Sequence, residues 1–192
     1  MNEKRLDKSL NSGERQVADT FSKIEEWHKW RYLQACGYLK GTESVLDVCC
    51  GCGYGSNMLS LKAGLVYGVD NCEGAIRYAL DNWKRDNSYF KHMDIFKLTT
   101  GIMYDTVVAF EAIEHIENEA KIWKFLADKT KSTLIYSVPH ISVPVTISPW
   151  HYRHYTVERC KEMLSLNGMK SLRLEEVTGR NGKKFIFGVA MK

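Results

Sequence analysis

Short apolar runs alternate with amphipathic stretches along most of the chain, and the alternation predicts strands and helices in turn. Ser44 to Val48, Gly64 to Asp70, Tyr89 to Met93, Tyr104 to Ala109 and Thr133 to Val138 read as strands. Between them, Ser56 to Ala63, Glu73 to Asp81 and Glu111 to Ala127 place apolar residues at helical spacing. Upstream, Val17 to Leu39 carries Phe21, Ile24, Trp27, Trp30, Tyr32 and Leu33 among Lys and Glu, so it reads as an amphipathic helix stopped by Gly41. Downstream, Pro139 to His154 is long and irregular. Thr156 to Asn167 is a last helix with Thr156 as its N-cap and Asn167-Gly168 as its stop. Ser171 to Val177 and Lys183 to Met191 form a hairpin around Thr178-Gly179-Arg180-Asn181-Gly182.

Strands that alternate with helices predict a parallel sheet with right-handed crossovers, and the terminal hairpin adds an antiparallel strand. The expected architecture is α/β: a Rossmann-like, seven-stranded, mostly parallel sheet with helices on both faces. A chain of 192 residues fits one domain, here with residues 1–40 as a helical lid and residues 41–192 as the core. In such sheets ligands bind beyond the carboxyl ends of the strands. Asp47, Asp70, Asp94, Glu111 and Pro139 fall at or near those ends.

The stretch Val45-Leu46-Asp47-Val48-Cys49-Cys50-Gly51-Cys52-Gly53-Tyr54-Gly55 passes from apolar strand to glycine-rich turn. Glycines there let a backbone approach a ligand, and the helix that follows presents free N–H groups. An acid before the glycines is unhelpful to a pyrophosphate and suits a ligand bearing ammonium and sulfonium charge. Three of the six cysteines crowd into this turn, but nothing completes a four-ligand zinc set, so small side chains lining a loop is the better account. The net charge of +4 is compatible with an anionic partner without demanding one. The polar N-terminus lacks the apolar core of a signal peptide, and no run is long enough to span a bilayer, so a cytoplasmic, reducing setting is expected. The first residues, to Asp19, read as loosely ordered at their start.

These motifs resemble those of the class I S-adenosylmethionine-dependent methyltransferases. Their first motif has a hydrophobic pair, an acid, and glycines at the spacing of Gly51, Gly53 and Gly55. This chain departs from it at Cys49, where a glycine or alanine is usual, and only a tighter fit is expected there. His28-x-x-Arg31-Tyr32 is similar to a segment placed over the methionine end of the cofactor. Gly68-Val69-Asp70 resembles the ribose-binding motif, and Met93-Asp94-Ile95 the adenine-binding segment. The resemblance implies S-adenosyl-L-methionine as cofactor, S-adenosyl-L-homocysteine as product, and Tyr32, Asp47, Cys49, Gly51, Gly53, Asp70, Asn71, Asp94, Ile95 and Glu111 around it. The turn usual before the fifth strand is missing; Asp128-Lys129-Thr130-Lys131 stands in its place.

Methyl transfer to oxygen needs the acceptor's proton removed or its oxygen polarised. Glu111, Glu114 and His115 stand at i, i+3 and i+4, which share a face if the segment is helical. With a downstream His, best His151, the set resembles that of small-RNA 3′-terminal 2′-O-methyltransferases and ubiquinone-pathway O-methyltransferases, which implies a divalent Mg or Mn site of Glu111, Glu114, His115 and His151. Without metal, His115 is the leading base, with His151 or His154 assisting. His140 is a further candidate, whereas His28 and His92 read as surface or packing residues. Trp27, Trp30 and Trp150 are either an aromatic acceptor pocket or core. The leading expectation is O-methylation of a small molecule, sugar or glycan. RNA 2′-O-methylation and a non-catalytic binding role on the same fold are the alternatives.

Overall fold

The computed structural model of the chain describes residue 10, residues 14–179 and residues 182–192. The expected loose start of the chain falls largely outside the described residues, as do Arg180 and Asn181 of the expected hairpin turn. Backbone contacts divide the chain into two compact units, one ending at Thr100 and one beginning at Gly101.

In the first unit, β1 (Ser44–Val48), β2 (Leu65–Asp70) and β3 (Ser88–His92) run parallel in the order β3-β2-β1. Val45 and Leu46 are wholly buried, as expected of a strand covered on both faces. The helices are α1 (Glu26–Cys36), α2 (Tyr54–Ser60) and α3 (Glu73–Asn82). α3 buries Ala75, Ile76 and Ala79 along one stripe. α1 is shorter than its apolar pattern suggests. A 3-10 turn at Phe21–Lys23 is followed by extended backbone at Ile24, and the Gln16 side chain accepts the Glu25 N–H at 3.2 Å. The helix ends at Gly37, not at Gly41.

In the second unit, β4 (Tyr104–Phe110) runs parallel to β5 (Thr130–Pro139). β7 (Lys184–Met191) pairs antiparallel with β5 and with β6 (Lys170–Thr178). The seven strands are those of the expected mostly parallel sheet with its C-terminal antiparallel hairpin. α5 (Val157–Leu166) is capped as the sequence suggests, Thr156 accepting the Arg159 N–H at 3.0 Å, and α4 (Glu119–Lys129) is capped by Asn118, which accepts the Lys121 N–H at 3.0 Å. The usual turn before β5 is absent because Thr130 closes α4 directly, its hydroxyl donating to Leu126 O at 2.7 Å.

One expectation fails here. Glu111 to Ala127 is not one helix: Glu111 is left-handed at φ 47°, Ile113–His115 form a 3-10 turn, and the α-helix starts only at Glu119. Arg153 donates to the carbonyls of Ile116 and Glu117, and Asn118 then caps α4, so the intervening backbone is held out of helical bonding.

Candidate functional site

The first unit gathers the glycine turn and its acids. β1 delivers Asp47, which is wholly buried. Ser56 Oγ donates to its Oδ2 at 2.6 Å and Tyr32 OH to its Oδ1 at 3.4 Å. Burial pushes the carboxyl up to about 7, against the pull of those two donors. Asp47 thus braces α2 and α1 from inside the turn; it does not present a charge at the surface. Tyr32 is likewise buried, its ring lying over Gly55, where a Cβ would come within 1.9 Å of the ring.

The glycines divide by role. Gly51 is left-handed at φ 56°, and a Cβ there would meet only the Arg15 stem, at 4.0 Å. Its turn is therefore the place where a ligand can approach backbone. A Cβ on Gly53 would lie 2.4 Å from that of Ala79, so Gly53 and Gly55 serve close packing within the protein. Cys49 follows β1 immediately and is itself left-handed, at φ 57°. Relative to a glycine at this position, Cys49 carries backbone strain of about 1–2 kcal/mol. The cysteines are free thiols. Burial pushes the Cys49, Cys50 and Cys52 thiols up, holding them protonated and inert.

Asp70, at the end of β2, is 2% exposed. Gly51 N–H donates to its Oδ2 at 3.0 Å and Cys72 N–H to its Oδ1 at 2.9 Å. Arg15 Nη2 sits 3.1 Å from Oδ1 and reaches Asn71 Oδ1 at 3.3 Å. Arg15 is a residue the sequence reading missed; only its charge and its place upstream of the turn could have flagged it. Asp94 is exposed and caps the 3-10 turn Ile95–Lys97 by accepting the Phe96 N–H at 3.0 Å, while Ile95 is buried.

The second unit gathers the histidines. Glu111 follows β4 immediately. Its N–H donates to Ser137 O at 3.1 Å, and Ser137 Oγ donates to its Oε1 at 2.8 Å. Glu111 does not join the metal-ligand candidates, since the helix expected to align it is not formed. Glu114, His115 and His151 do converge, with donor atoms all within 4.8 Å of one another. Glu114 is wholly buried. The 3-10 turn supplies the first two and the loop after β5 supplies His151. Tyr152 N–H ties that loop to Glu114 O at 2.9 Å.

His154 stands behind His151. Its Nδ1 lies 2.6 Å from Val143 O, which can only accept, so Nδ1 carries the hydrogen. Its Nε2 is then an acceptor, and His151 Nδ1, 2.7 Å away, donates to it. With both rings neutral, this arrangement places the lone pair of His151 on Nε2, which suits a base or a metal ligand. His154 orients and does not itself present a nitrogen. His115 packs edge-on against His151 with ring centroids 4.7 Å apart. His140 is engaged elsewhere, with Ser142 Oγ at 2.8 Å and Glu176 at 3.5 Å. His28 bonds the Tyr54 hydroxyl and His92 bonds Asn71 O, the packing roles expected. Trp27 and Trp30 pack edge to face, at 6.1 Å between ring centroids.

A family profile described as a methyltransferase domain matches residues 45–131. Among solved structures, magnesium protoporphyrin IX methyltransferase from Synechocystis with bound S-adenosylhomocysteine superposes with a TM-score of 0.76. It is 22% identical and covers 94% of this chain and 90% of its own. The same enzyme with bound S-adenosylmethionine gives 0.69 at 24% identity, covering 94% and 86%. The N-methyltransferase NodS from Bradyrhizobium japonicum, with S-adenosylhomocysteine, gives 0.74 at 14% identity, covering 95% and 96%. No curated protein sequence matches this chain. Among the described residues no helix is long and apolar enough to cross a membrane.

Proposed function

We propose that the chain methylates an oxygen of a small molecule, sugar or glycan, and that residues 45–131, which match a methyltransferase-domain profile, belong to a domain of the S-adenosylmethionine-dependent class I type. The whole chain acts as one such domain, its first unit binding the cofactor and its second carrying acceptor chemistry. Bound S-adenosylmethionine supplies an electrophilic methyl on sulfonium. Asp70 accepts the ribose hydroxyls, oriented by the Gly51 and Cys72 amides. Gly51 admits the ligand to the turn. Asp94 and Ile95 flank the adenine. Asp47, Tyr32 and Ser56 keep the turn in shape.

The observation that carries the oxygen assignment is the His151–His154–Val143 relay. A hydroxyl must lose its proton as it is methylated, and the relay leaves a basic Nε2 on His151 while His154 stabilises the imidazolium that forms. His115, packed against His151, fixes the ring from its other side. Transfer of labelled methyl to a panel of hydroxyl- and amine-bearing small molecules tests the assignment. Hydroxyl acceptors, with turnover lost in His151→Ala, are expected; transfer to amines alone overturns it.

A second reading is favoured by the convergence of Glu114, His115 and His151. One carboxylate and two imidazoles suit a divalent transition ion such as Mn better than Mg, and with further positions open such an ion would polarise an acceptor hydroxyl such as an RNA 2′-OH. Activity abolished by chelator and restored by Mn supports this reading; activity indifferent to chelator refutes it.

A further inference from the structure

Asp70 offers its ligand less than its position suggests. A carboxylate has about four lone-pair sites, two on each oxygen. Oδ2 takes the Gly51 N–H and keeps one site open. Oδ1 takes both the Cys72 N–H and Arg15 Nη2. A vicinal diol straddling both oxygens therefore finds one seat empty and one filled.

The segment that fills it is anchored on both sides. Downstream, the Ala18 carbonyl accepts Trp83 Nε1–H at 2.7 Å, and Gln16 bonds the backbone at Lys23 and Glu25. Upstream, Leu10 lies against Gly74 at the start of α3, its Cβ 3.4 Å from where a glycine Cβ would stand. Arg15 is 12% exposed along its side chain, pairs with Glu14 at 2.5 Å as well as with Asp70, and lays its stem over Gly51. It thus covers both features assigned to the cofactor, the acid and the open glycine.

We propose that Arg15 is a latch on the nucleoside corner: it holds the Oδ1 seat of Asp70, so that a ribose-bearing ligand and Arg15 compete for one carboxylate. The inference rests on the reading of Asp70 as the ribose acid. Ligand entry swings Arg15 away about the anchored Gln16, and the ribose hydroxyls replace its bond to a nearly buried charge. Release costs affinity, because only the fraction of molecules with Arg15 displaced is competent to bind.

Calorimetry on the full chain with two probes, adenosine and S-adenosylhomocysteine, tests the latch. Arg15→Ala is expected to bind both about three- to tenfold more tightly than the parent chain. In the unaltered chain, saturating S-adenosylhomocysteine is expected to speed tryptic cleavage after Arg15, a readout that stands if Arg15→Ala does not fold. Weaker binding of S-adenosylhomocysteine with adenosine unchanged overturns the latch and makes Arg15 a ligand of the amino-acid end. Unchanged affinity for both probes also overturns it while leaving Asp70 as the ribose acid. Failure of both probes to bind any folded variant removes the cofactor reading, and the latch with it.

Discussion

The two halves of the molecule build their sites in different ways. In the first, the chemistry lies in one contiguous turn, Asp47 to Gly55, and in the acid that closes the next strand. Its carboxylates are held by backbone amides and near neighbours: Gly51 and Cys72 on Asp70, Ser56 on Asp47. In the second, Glu114, His115 and His151 come from a 3-10 turn and a loop more than thirty residues on, stitched together by Arg153 and Tyr152. Both halves place a strained residue directly after a strand. Cys49 after β1 and Glu111 after β4 are the non-glycine residues with positive φ among those described. Strain of this kind gathers where backbone is forced to turn sharply for function. The difference is that a local turn is specified by its own residues, whereas the histidine cluster depends on a long loop docking correctly.

That comparison can be broken most severely at His151. His151→Ala should lower turnover on any hydroxyl acceptor by about 10²–10⁴-fold, the usual worth of a general base, without loss of cofactor affinity. His154→Ala should lower it less and broaden the pH profile, since His154 acts only through His151. Next comes Gly53→Ala, which meets Ala79 and keeps a left-handed φ. We expect it to cost about 3 kcal/mol or more in urea unfolding. A comparable loss is not expected for an alanine at Gly101, where the built Cβ meets nothing.

The buried acid of the turn gives a pH test. The Asp47 carboxyl is raised to about 7 in the folded chain against an ordinary value near 3.8. Between those values the folded state holds a proton that the unfolded state has released. Stability should therefore fall as pH rises from about 4 to about 7 and level off above that. Asp47→Asn should flatten that segment of the curve measured by thermal unfolding. The smallest effect is expected at Cys49→Gly, which relieves the left-handed strain but loosens the unfolded chain, for a net gain of about 0.5–1 kcal/mol.

These expectations also mark what the sequence made legible. All seven strands, the acid at the end of β2 and the caps of α5 follow from patterns only a few residues long, and they appear where expected. The first-unit motif is read easily because its meaning is local. One misjudgement has a clear cause, a tertiary contact that overrides helical spacing. Glu111, Glu114 and His115 have the spacing of a helix face, but Arg153 and Ser137 hold that backbone in another shape. Tyr32 and Asp47 bond each other, and the Tyr32 ring lies over Gly55, contacts that their chemistry alone does not announce. The pairing of Arg15 with Asp70 spans residues too far apart for any short pattern to show.

The central claim is that the first unit binds the cofactor independently of the histidines that act on the acceptor. Calorimetry with S-adenosylhomocysteine on Asp70→Ala and His151→Ala tests it directly. The account predicts that Asp70→Ala loses measurable binding while His151→Ala binds as the parent chain does. Undiminished binding by Asp70→Ala, or loss of binding in folded His151→Ala, would contradict it.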